Sequence, residues 1–433
     1  MLHVQEDTLP QLEDYHAGEQ ILSYASRGES RNMTAGLSAE RLKRIDKHFQ
    51  EKYIDTGKLP GVLTLVARRG EIAHFSALGD MDVENGKPTN EDTIYRIYSM
   101  TKAITSVALM MLYEEGKFQL IDPVHQYLPE WEKTEVWVSG EYGNFKTRPQ
   151  ERPMTIRDLL THQAGLSYGF TDAHAVDRAY QRTGWEELFG MHLADWSKEL
   201  SKFPLLFSPG TGWEYSFATD LCGYLVQVIA DQPFDEFLKE RIFEPLGMVD
   251  TSFEIPDSKV DRLSVLYEPT PEGGLKLQDS AEDSYFRKPM NFKSGGAGLL
   301  STATDYYRFL QMLADGGSLD GRRYLSRKTI ELMASNHLPN DVSIVEHAVR
   351  EPWDDPKRLG EGFGFGFAVN LSPAKAQIVG SPGQYRWGGA ASTEYWIDPV
   401  EEIVVVFMTQ LMGSGTYPLR QELQILVNAA IDD

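Results

Sequence analysis

The chain is poor in the features that mark several common classes of protein. It has one cysteine, Cys222, in 433 residues, which excludes an intramolecular disulfide and a cysteine-based metal site. Because Cys222 lies in the apolar run 221–226, we expect a packed, inert thiol. No apolar run reaches transmembrane length, and residues 1–10 lack the basic and apolar segments of a secretory signal. The sequence therefore predicts a cytoplasmic protein that does not associate with membranes.

Positive charge and ligand-binding motifs are also scarce. The 42 lysines and arginines face 64 aspartates and glutamates, so the net charge is −22 at pH 7. A surface of this charge repels polyanions, which argues against nucleic acid and anionic membranes as partners. The sequence contains no H-E-x-x-H helix, no carboxylate-rich calcium loop and no glycine-rich phosphate loop. We therefore expect no metal and no other cofactor.

Apolar patterning typical of strands occurs near both ends of the chain, whereas helical patterns dominate the middle. The predicted elements are a helix over 38–52, strands over 62–67 and 72–78, strands over 393–397 and 403–408, and a helix over 419–431. This arrangement predicts an α+β fold, in which one antiparallel sheet is built from both ends of the chain, flanked by helices, and receives an inserted helical region.

The length of the chain favours two subdomains that share a cleft. The predicted organisation is an N-terminal extension over 1–37, an α/β region with the antiparallel sheet over 38–95 and 295–433, and a mainly helical region over 96–294. The catalytic cleft is expected between the last two regions.

The stretch Ser99-Met-Thr-Lys102 combines a hydroxyl nucleophile with an amine base at the start of a strongly apolar segment. Residues 102–112 are apolar nearly all round, which predicts a buried helix with a rigid first turn. Positions i and i+3 share a helix face, so Ser99 and Lys102 can project into one space. Burial disfavours a charged amine and thus favours a lysine that acts as a base in acyl transfer. The alternative interpretation is a helix N-cap followed by a solvated lysine.

Two other serines compete for the role of nucleophile. Ser372-Pro-Ala-Lys375 repeats the Ser-x-x-Lys spacing, but it lies in a predicted turn between strands, with no buried helix behind it. Gly165-Leu-Ser-Tyr-Gly169 matches the nucleophile elbow of α/β-hydrolases, which follows a buried strand. Here residues 155–162 predict a short capped helix instead. The elbow also needs an acid and then a histidine downstream, and the final 86 residues contain no histidine. The glycines around Ser167 therefore indicate a loop that ends a helix.

Six sequence blocks occur in an order that is similar to a known superfamily. The blocks are Ser99-Met-Thr-Lys102, Leu159-Leu-Thr-His-Gln-Ala-Gly-Leu166, Ser208-Pro-Gly-Thr-Gly-Trp-Glu-Tyr-Ser216, Ile242-Phe-Glu-Pro-Leu-Gly-Met248, Gly295-Gly-Ala-Gly-Leu-Leu-Ser-Thr302 and Trp387-Gly-Gly389. Over residues 38–431 the chain resembles the serine β-lactamases and penicillin-binding proteins, and within them the class C β-lactamases and family VIII carboxylesterases. The resemblance implies the β-lactamase and penicillin-binding-protein fold.

The resemblance also implies roles for the second and third motifs of the family, and this chain departs from both. Tyr215 occupies the tyrosine of the Tyr-x-Asn motif, which faces the nucleophile, but Phe217 stands where β-lactamases place the asparagine. Trp387-Gly388-Gly389 stands where penicillin-recognising enzymes have Lys-Thr-Gly. An amide donor and the cation that meets a β-lactam carboxylate are therefore missing, and Trp-Gly-Gly is similar to the esterase branch.

Both departures favour neutral substrates. The substrate-binding residues that the resemblance implies are Trp387, Gly388, Gly389 and Phe217. A wall formed by Trp387, with aromatic residues of the neighbouring segment, suits an aryl or short acyl ester. These neighbouring residues are Phe363, Phe365 and Phe367.

The resemblance implies a serine carboxylesterase that acts on a small-molecule ester. Ser99 attacks the ester carbonyl, and Lys102 and Tyr215 are a coupled pair that moves the proton. The backbone N–H groups of Ser99 and Ala390 hold the oxyanion. The sequence leaves open which member of the pair is the base. It also leaves open a β-lactamase or amidase, an acyltransferase, and a non-enzymatic receptor similar to penicillin-binding proteins.

Overall fold

An eight-stranded antiparallel sheet forms the centre of the part of the chain that the computed structural model describes, residues 35–170, 173–182, 190–350 and 358–433. The predicted N-terminal extension lies outside the described residues up to residue 34. The strands are β1 (Gly61–Arg68), β2 (Glu71–Asp82), β3 (Lys87–Pro88), β4 (Tyr95–Arg96), β5 (Val136–Ser139), β6 (Lys146–Arg148), β7 (Leu266–Pro269), β8 (Leu275–Asp279), β9 (Leu300–Ser301), β10 (Ser318–Leu319), β11 (Arg322–Arg323), β12 (Glu361–Phe363), β13 (Ala368–Asn370), β14 (Tyr385–Gly388), β15 (Glu394–Asp398) and β16 (Ile403–Met408).

The order of the strands joins the two ends of the chain within one sheet. Across the large sheet the order is β12-β13-β14-β15-β16-β1-β2-β3, and β1 pairs with β16. The remaining strands form two-stranded ladders, β4 with β9, β5 with β6, β7 with β8, and β10 with β11. The prediction of one antiparallel sheet built from both ends is confirmed, and so are both predicted hairpins.

The central strands β1 and β16 are buried on both faces because alternate residues enter two different cores. Val404, Val406 and Met408 belong to the main core, whereas Val405 and Phe407 belong to a second core. A tight turn at Arg69 and Gly70, both with positive φ (53° and 77°), connects β1 to β2, as the two residues of a type I′ turn require.

Helices cover both faces of the sheet. They are α1 (Ala39–Phe49), α2 (Thr101–Glu114), α3 (Ile156–Leu160), α4 (Ala175–Arg182), α5 (Leu193–Leu200), α6 (Ala218–Ala230), α7 (Phe234–Leu238), α8 (Glu244–Leu246), α9 (Ala303–Ala314), α10 (Arg327–Met333), α11 (Ile344–His347), α12 (Pro373–Ala376) and α13 (Leu419–Asn428). The first and last helices pack on each other and on the second core, while α9 packs on β16 from the side of the main core. In the described ranges no helix is both long and apolar enough to cross a membrane.

Helix α2 lies in the middle of the main core and packs against α6. Every residue from Thr101 to Leu112 is buried, as the all-round apolar pattern predicts. The first turn of α2 is therefore surrounded by packed side chains, which fixes the direction of any group that it carries. The boundaries of the predicted subdomains stay a prediction.

Candidate active site

Ser99 lies at the junction between the short strand β4 and the buried helix α2. Tyr98 has a φ of +43°, a left-handed conformation that is costly for a residue with a side chain. This turn leads into the 3-10 turn Tyr98–Met100, after which α2 begins at Thr101. Because the backbone changes direction here, Ser99 is partly exposed, whereas Met100 behind it is fully buried.

Lys102 is completely buried and its amine nitrogen has three hydrogen-bond partners. Nζ lies 3.3 Å from Ser99 Oγ, 2.8 Å from the Tyr168 hydroxyl and 2.8 Å from the Gly296 carbonyl oxygen. An amine nitrogen has three directions available for hydrogen bonding, so these partners account for all of them. The Ser-x-x-Lys spacing thus brings the serine and the lysine together in the structure.

Tyr168 is the residue of this cluster that the sequence analysis missed. It belongs to Gly165-Leu-Ser-Tyr-Gly169, the segment that also contains Ser167, and its place between the two glycines of that loop is the one sequence signal that points to it. Burial and the nearby Asp220 carboxylate raise the pKa of Tyr168 well above its usual value. The hydroxyl therefore stays protonated and can share its oxygen with Lys102.

Asp220 holds the loop that supplies the third partner of Lys102. It lies in the first turn of α6, is buried, and accepts hydrogen bonds from the Ser294 hydroxyl (2.5 Å) and the Gly296 N–H (3.0 Å). Burial raises the pKa of Asp220, while the charge of Lys102 acts in the opposite direction. The buried Asp220 carboxylate and the buried Lys102 amine are thus close enough to interact electrostatically.

Tyr215 lies next to Lys102 and is held by Trp387. The Trp387 indole N–H donates a hydrogen bond to the Tyr215 hydroxyl at 3.1 Å, and Lys102 Nζ lies 4.5 Å from the centre of the Tyr215 ring. Trp387 lies on β14, whereas Tyr215 precedes α6. The motif-three tryptophan therefore contacts the motif-two tyrosine directly.

The other aromatic residues expected near the substrate have different surroundings. Phe217 is 1% exposed and packs edge-on against the Tyr168 ring, with ring centres 4.6 Å apart. Phe363 packs edge-on against Trp387. Phe365 stacks on His337, Phe367 packs on Tyr385, and both are fully buried, as Phe363 is, so their place in the aromatic wall beside the substrate stays a prediction.

The end of β14 approaches the backbone just before Ser99. Gly389 allows this approach, since a Cβ at this position would lie 2.5 Å from the Ile97 carbonyl oxygen. The Gly389 N–H bonds Thr393, which closes a turn over 389–393. Ala390 lies in this turn and is partly exposed. The arrangement brings Gly389, the residue before Ala390, close to the backbone that leads into Ser99.

Ser167, the competing nucleophile, is buried inside an ionic network. Its hydroxyl donates to Asp177 at 2.5 Å and accepts from Arg350 Nη2 at 2.9 Å and from the Gly169 N–H at 3.0 Å. Arg350 Nη2 also binds Glu214 at 2.7 Å. The preceding α3 is the predicted short capped helix, its cap is a capping box, and no strand runs into the loop. Ser167 therefore has the surroundings of a structural residue.

The ionic network joins the two loops that carry the tyrosines. Arg350 bridges Ser167, the neighbour of Tyr168, and Glu214, the neighbour of Tyr215. Burial raises the pKa of Glu214 to about 7, although Arg350 acts in the opposite direction. This carboxyl group is therefore close to half ionised near neutral pH.

Two further residues singled out in the sequence, Ser372 and Cys222, lie outside this cluster. Ser372 caps the four-residue helix α12, which has no buried residue, so the second Ser-x-x-Lys copy has the predicted context. Burial raises the pKa of the Cys222 thiol, which is fully buried. In the described part of the chain, no three His, Cys, Asp or Glu side chains are grouped so that they could hold a metal ion.

Comparisons with known proteins give consistent matches over most of the chain. A family model described as Beta-lactamase matches residues 43–429. The chain is 34% identical to Protein Rv1367c of Mycobacterium tuberculosis over 359 residues, which cover 82% of this chain and 87% of that protein. It is 30% identical to Esterase EstB of Burkholderia gladioli over 404 residues, 87% of this chain and 92% of that protein.

A solved structure, EstCE1, is described as a hydrolase with promiscuous acyltransferase activity. It superimposes with a TM-score of 0.74 at 26% identity, over 91% of this chain and 99% of its own. The sequence matches and the structural superposition therefore each cover more than four fifths of this chain.

Proposed function

We propose a carboxylesterase function for this chain, which belongs to the beta-lactamase family and is a serine-hydrolase type of enzyme. Its substrates are short-chain or aryl esters of small molecules, which it hydrolyses through an acyl-enzyme on Ser99. The observation that carries the proposal is the 3.3 Å contact between Lys102 Nζ and the partly exposed Ser99 hydroxyl. The esterase among the relatives supports the choice of an ester substrate.

Lys102 is the base in this mechanism. The Gly296 carbonyl oxygen can only accept, so it takes one hydrogen of the amine, and the protonated Tyr168 can accept the second. A neutral amine then has its lone pair left for the Ser99 proton.

Acylation forms one bond and breaks another. Ser99 Oγ bonds to the ester carbonyl carbon while its proton passes to Lys102 Nζ. The tetrahedral intermediate then collapses, the carbon–oxygen bond to the alcohol breaks, and the alcohol leaves with a proton relayed through the Tyr215 hydroxyl. Water then attacks the carbonyl carbon of the acyl-enzyme and gives up a proton along the same path. The bond between that carbon and Ser99 Oγ breaks, Ser99 Oγ regains a proton, and the acid is released.

The oxyanion is stabilised by two backbone N–H groups, those of Ser99 and Ala390. The first belongs to the 3-10 turn before α2, and the second to the turn over 389–393. Donors that are fixed before the reaction stabilise the developing charge without reorganising, which is why such pairs contribute strongly to acyl transfer. Both donors are backbone groups, so their positions depend on the two turns that carry them.

A neutral ester fits this site better than a β-lactam. The third motif begins with Trp387, whose indole binds Tyr215, so the position offers no cation to a substrate carboxylate. The acid or alcohol part of an ester instead meets aromatic surface. Trp387, which is buried apart from 6% of its surface, and the Phe170 ring, which is 69% exposed and stacks on Tyr168, provide such surface beside the cluster.

A substrate panel tests the proposal. We expect p-nitrophenyl acetate and butyrate to be hydrolysed faster, by kcat/KM, than cephalosporins, benzylpenicillin or short amides, and Ser99→Ala to lose the activity. Stable acylation without turnover would indicate a receptor. Product analysis with an added alcohol separates the hydrolase from an acyltransferase, because only a transferase gives the new ester as the main product.

A further inference from the structure

The peptide unit that joins Gly389 to Ala390 is held from its carbonyl side by Arg420. Arg420 Nη2 donates to the Gly389 carbonyl oxygen at 2.9 Å and to the Thr393 carbonyl oxygen at 2.9 Å. Arg420 belongs to the C-terminal helix α13, whereas the turn over 389–393 follows β14. One guanidinium group thus binds both ends of the turn that carries the proposed oxyanion donor.

The Gly389 carbonyl and the Ala390 N–H belong to the same amide. An amide is planar, so a hydrogen bond that fixes its C=O direction also fixes the direction of its N–H. A cation at the oxygen also draws electron density from the amide and strengthens the N–H as a donor, as in chains of polarised hydrogen bonds. Arg420 can therefore act on the reaction through this peptide without touching the substrate.

The guanidinium is itself held in place by a charged cluster. Arg420 Nε lies 2.7 Å from Glu394 Oε2, and the Glu394 side chain is only 2% exposed. Arg386 binds the other oxygen of Glu394 at 3.1 Å and also binds Glu361. Because Arg386 shares the carboxylate but makes neither contact with the turn, the cluster contains its own control residue.

We propose that Arg420 is a positioning residue of the oxyanion site, which orients and polarises the Ala390 N–H through the Gly389 carbonyl. The proposal rests on the proposed function, because it takes the Ala390 N–H as an oxyanion donor. The effect belongs to the transition state, since the negative oxygen that the N–H binds is absent from the bound ester. Substrate binding is left unchanged.

A pair of matched ketones tests the proposal. A trifluoromethyl ketone analogue of the ester adds to Ser99 and places a negative oxygen at the oxyanion site, whereas the methyl ketone of the same shape binds without adding. For Arg420→Gln and Arg420→Lys we expect kcat to fall and the trifluoromethyl ketone Ki to rise by the same factor, about tenfold or more. We expect KM and the methyl ketone Ki to change less than threefold.

Arg386→Lys is the control, and we expect it to leave both ketone Ki values within threefold of wild type. Equal weakening of both ketones by the Arg420 variants, or an equal effect of Arg386→Lys, would overturn the proposal. A crystal structure of the wild-type trifluoromethyl ketone adduct provides a test that needs no folded variant. If the oxyanion of the adduct binds the Ala390 N–H while Arg420 does not contact the Gly389 carbonyl, the role of Arg420 is wrong but the proposed function stands. Failure of the ketone to add to Ser99 would contradict the proposed function instead.

Discussion

The Tyr168 hydroxyl oxygen lies 2.8 Å from the Lys102 amine nitrogen. This contact is shorter than the 3.3 Å between that nitrogen and the Ser99 hydroxyl oxygen. Tyr168 therefore helps to hold the Lys102 amine in place beside Ser99. Because burial and Asp220 keep Tyr168 protonated, the tyrosine oxygen can accept one hydrogen of the amine, which in the proposed mechanism leaves the amine lone pair for Ser99.

Replacement of this tyrosine tests its contribution. We expect Tyr168→Phe to lower kcat by about 10²-fold, the usual scale for a group that supports proton transfer, while KM changes little. The Phe ring keeps the packing on Phe217, but the buried Lys102 loses one hydrogen-bond partner, so we expect a stability loss of about 1–3 kcal/mol with the fold retained. Unchanged kcat would show that Lys102 does not need this partner.

The choice of nucleophile is tested by two serine variants. We expect Ser99→Ala to abolish ester hydrolysis, and an organophosphate to modify the peptide that contains Ser99. We expect Ser167→Ala to retain most of the activity but to lose about 1–3 kcal/mol of stability, because Asp177 and Arg350 each lose one buried hydrogen-bond partner. An adduct on Ser167, found by mass spectrometry, would refute this assignment.

Lys102 and Tyr215 are expected to act on one proton path. Lys102→Ala and Tyr215→Phe should each lower kcat by about 10²-fold or more. The double variant should lose much less than the product of the two single losses, because the path is already broken by either change. Steady-state kinetics of the four proteins measure this coupling. Losses that multiply would mean that the two residues work independently.

The substrate preference is expected to depend on the first position of the third motif. Trp387→Lys supplies the cation that is missing for a β-lactam carboxylate. One charge-assisted hydrogen bond contributes roughly 1.5–3 kcal/mol, which is about one to two decades in rate. The ratio of cephalosporin to p-nitrophenyl butyrate kcat/KM should rise accordingly. Trp387→Phe, which keeps the ring but adds no charge, is the control, and an unchanged ratio in the Lys variant would place the preference elsewhere.

Glu214 is expected to make the protein less stable as the pH rises. Its folded pKa of about 7 lies above the ordinary value of 4.5, so between these two pH values the unfolded chain loses a proton that the folded chain keeps. The free energy of unfolding should therefore decrease over this window, by at most about 1.4 kcal/mol per pH unit from this group.

The difference in unfolding free energy between wild type and Glu214→Gln separates this contribution from those of other buried groups. One such group is His337, whose pKa is lowered to about 4 by burial. Urea denaturation at several pH values gives that difference. It should favour the variant increasingly from about pH 4.5 to 7 and then level off. A difference that does not depend on pH would contradict the raised pKa.

The fold could be predicted because its central elements have strong local patterns. The apolar residues of α2 have no polar face, and the strands of both hairpins end at clear turn residues such as Gly70 and Pro399. The six sequence blocks added the family and the fold, and both are confirmed by the family model and by the superposition on EstCE1.

The surroundings of Lys102 could be predicted only in part, because they depend on loop conformation. Ser167 and Tyr168 are neighbours in sequence, yet one side chain binds Asp177 and the other binds Lys102. The flanking glycines, with φ of +82° and +70°, set these directions, and a residue pattern does not encode them. The same limit applies to the side-chain directions of Phe365 and Phe367, because Gly366 between them has a φ of +91°.

Pairing of β1 with β16 has a consequence for the way the enzyme is made. The Thr409 hydroxyl binds the Gly61 carbonyl across a separation of 348 residues, so the ribosome synthesises Ser99, Lys102 and both tyrosines long before the middle of the sheet can close. Contacts of such long range slow folding, and the nascent chain must keep its apolar first hairpin from pairing with other chains in the meantime. Assembly of the proposed catalytic centre therefore waits until β16 has left the ribosome, and chains that stop before β16 should accumulate as inactive, aggregation-prone intermediates.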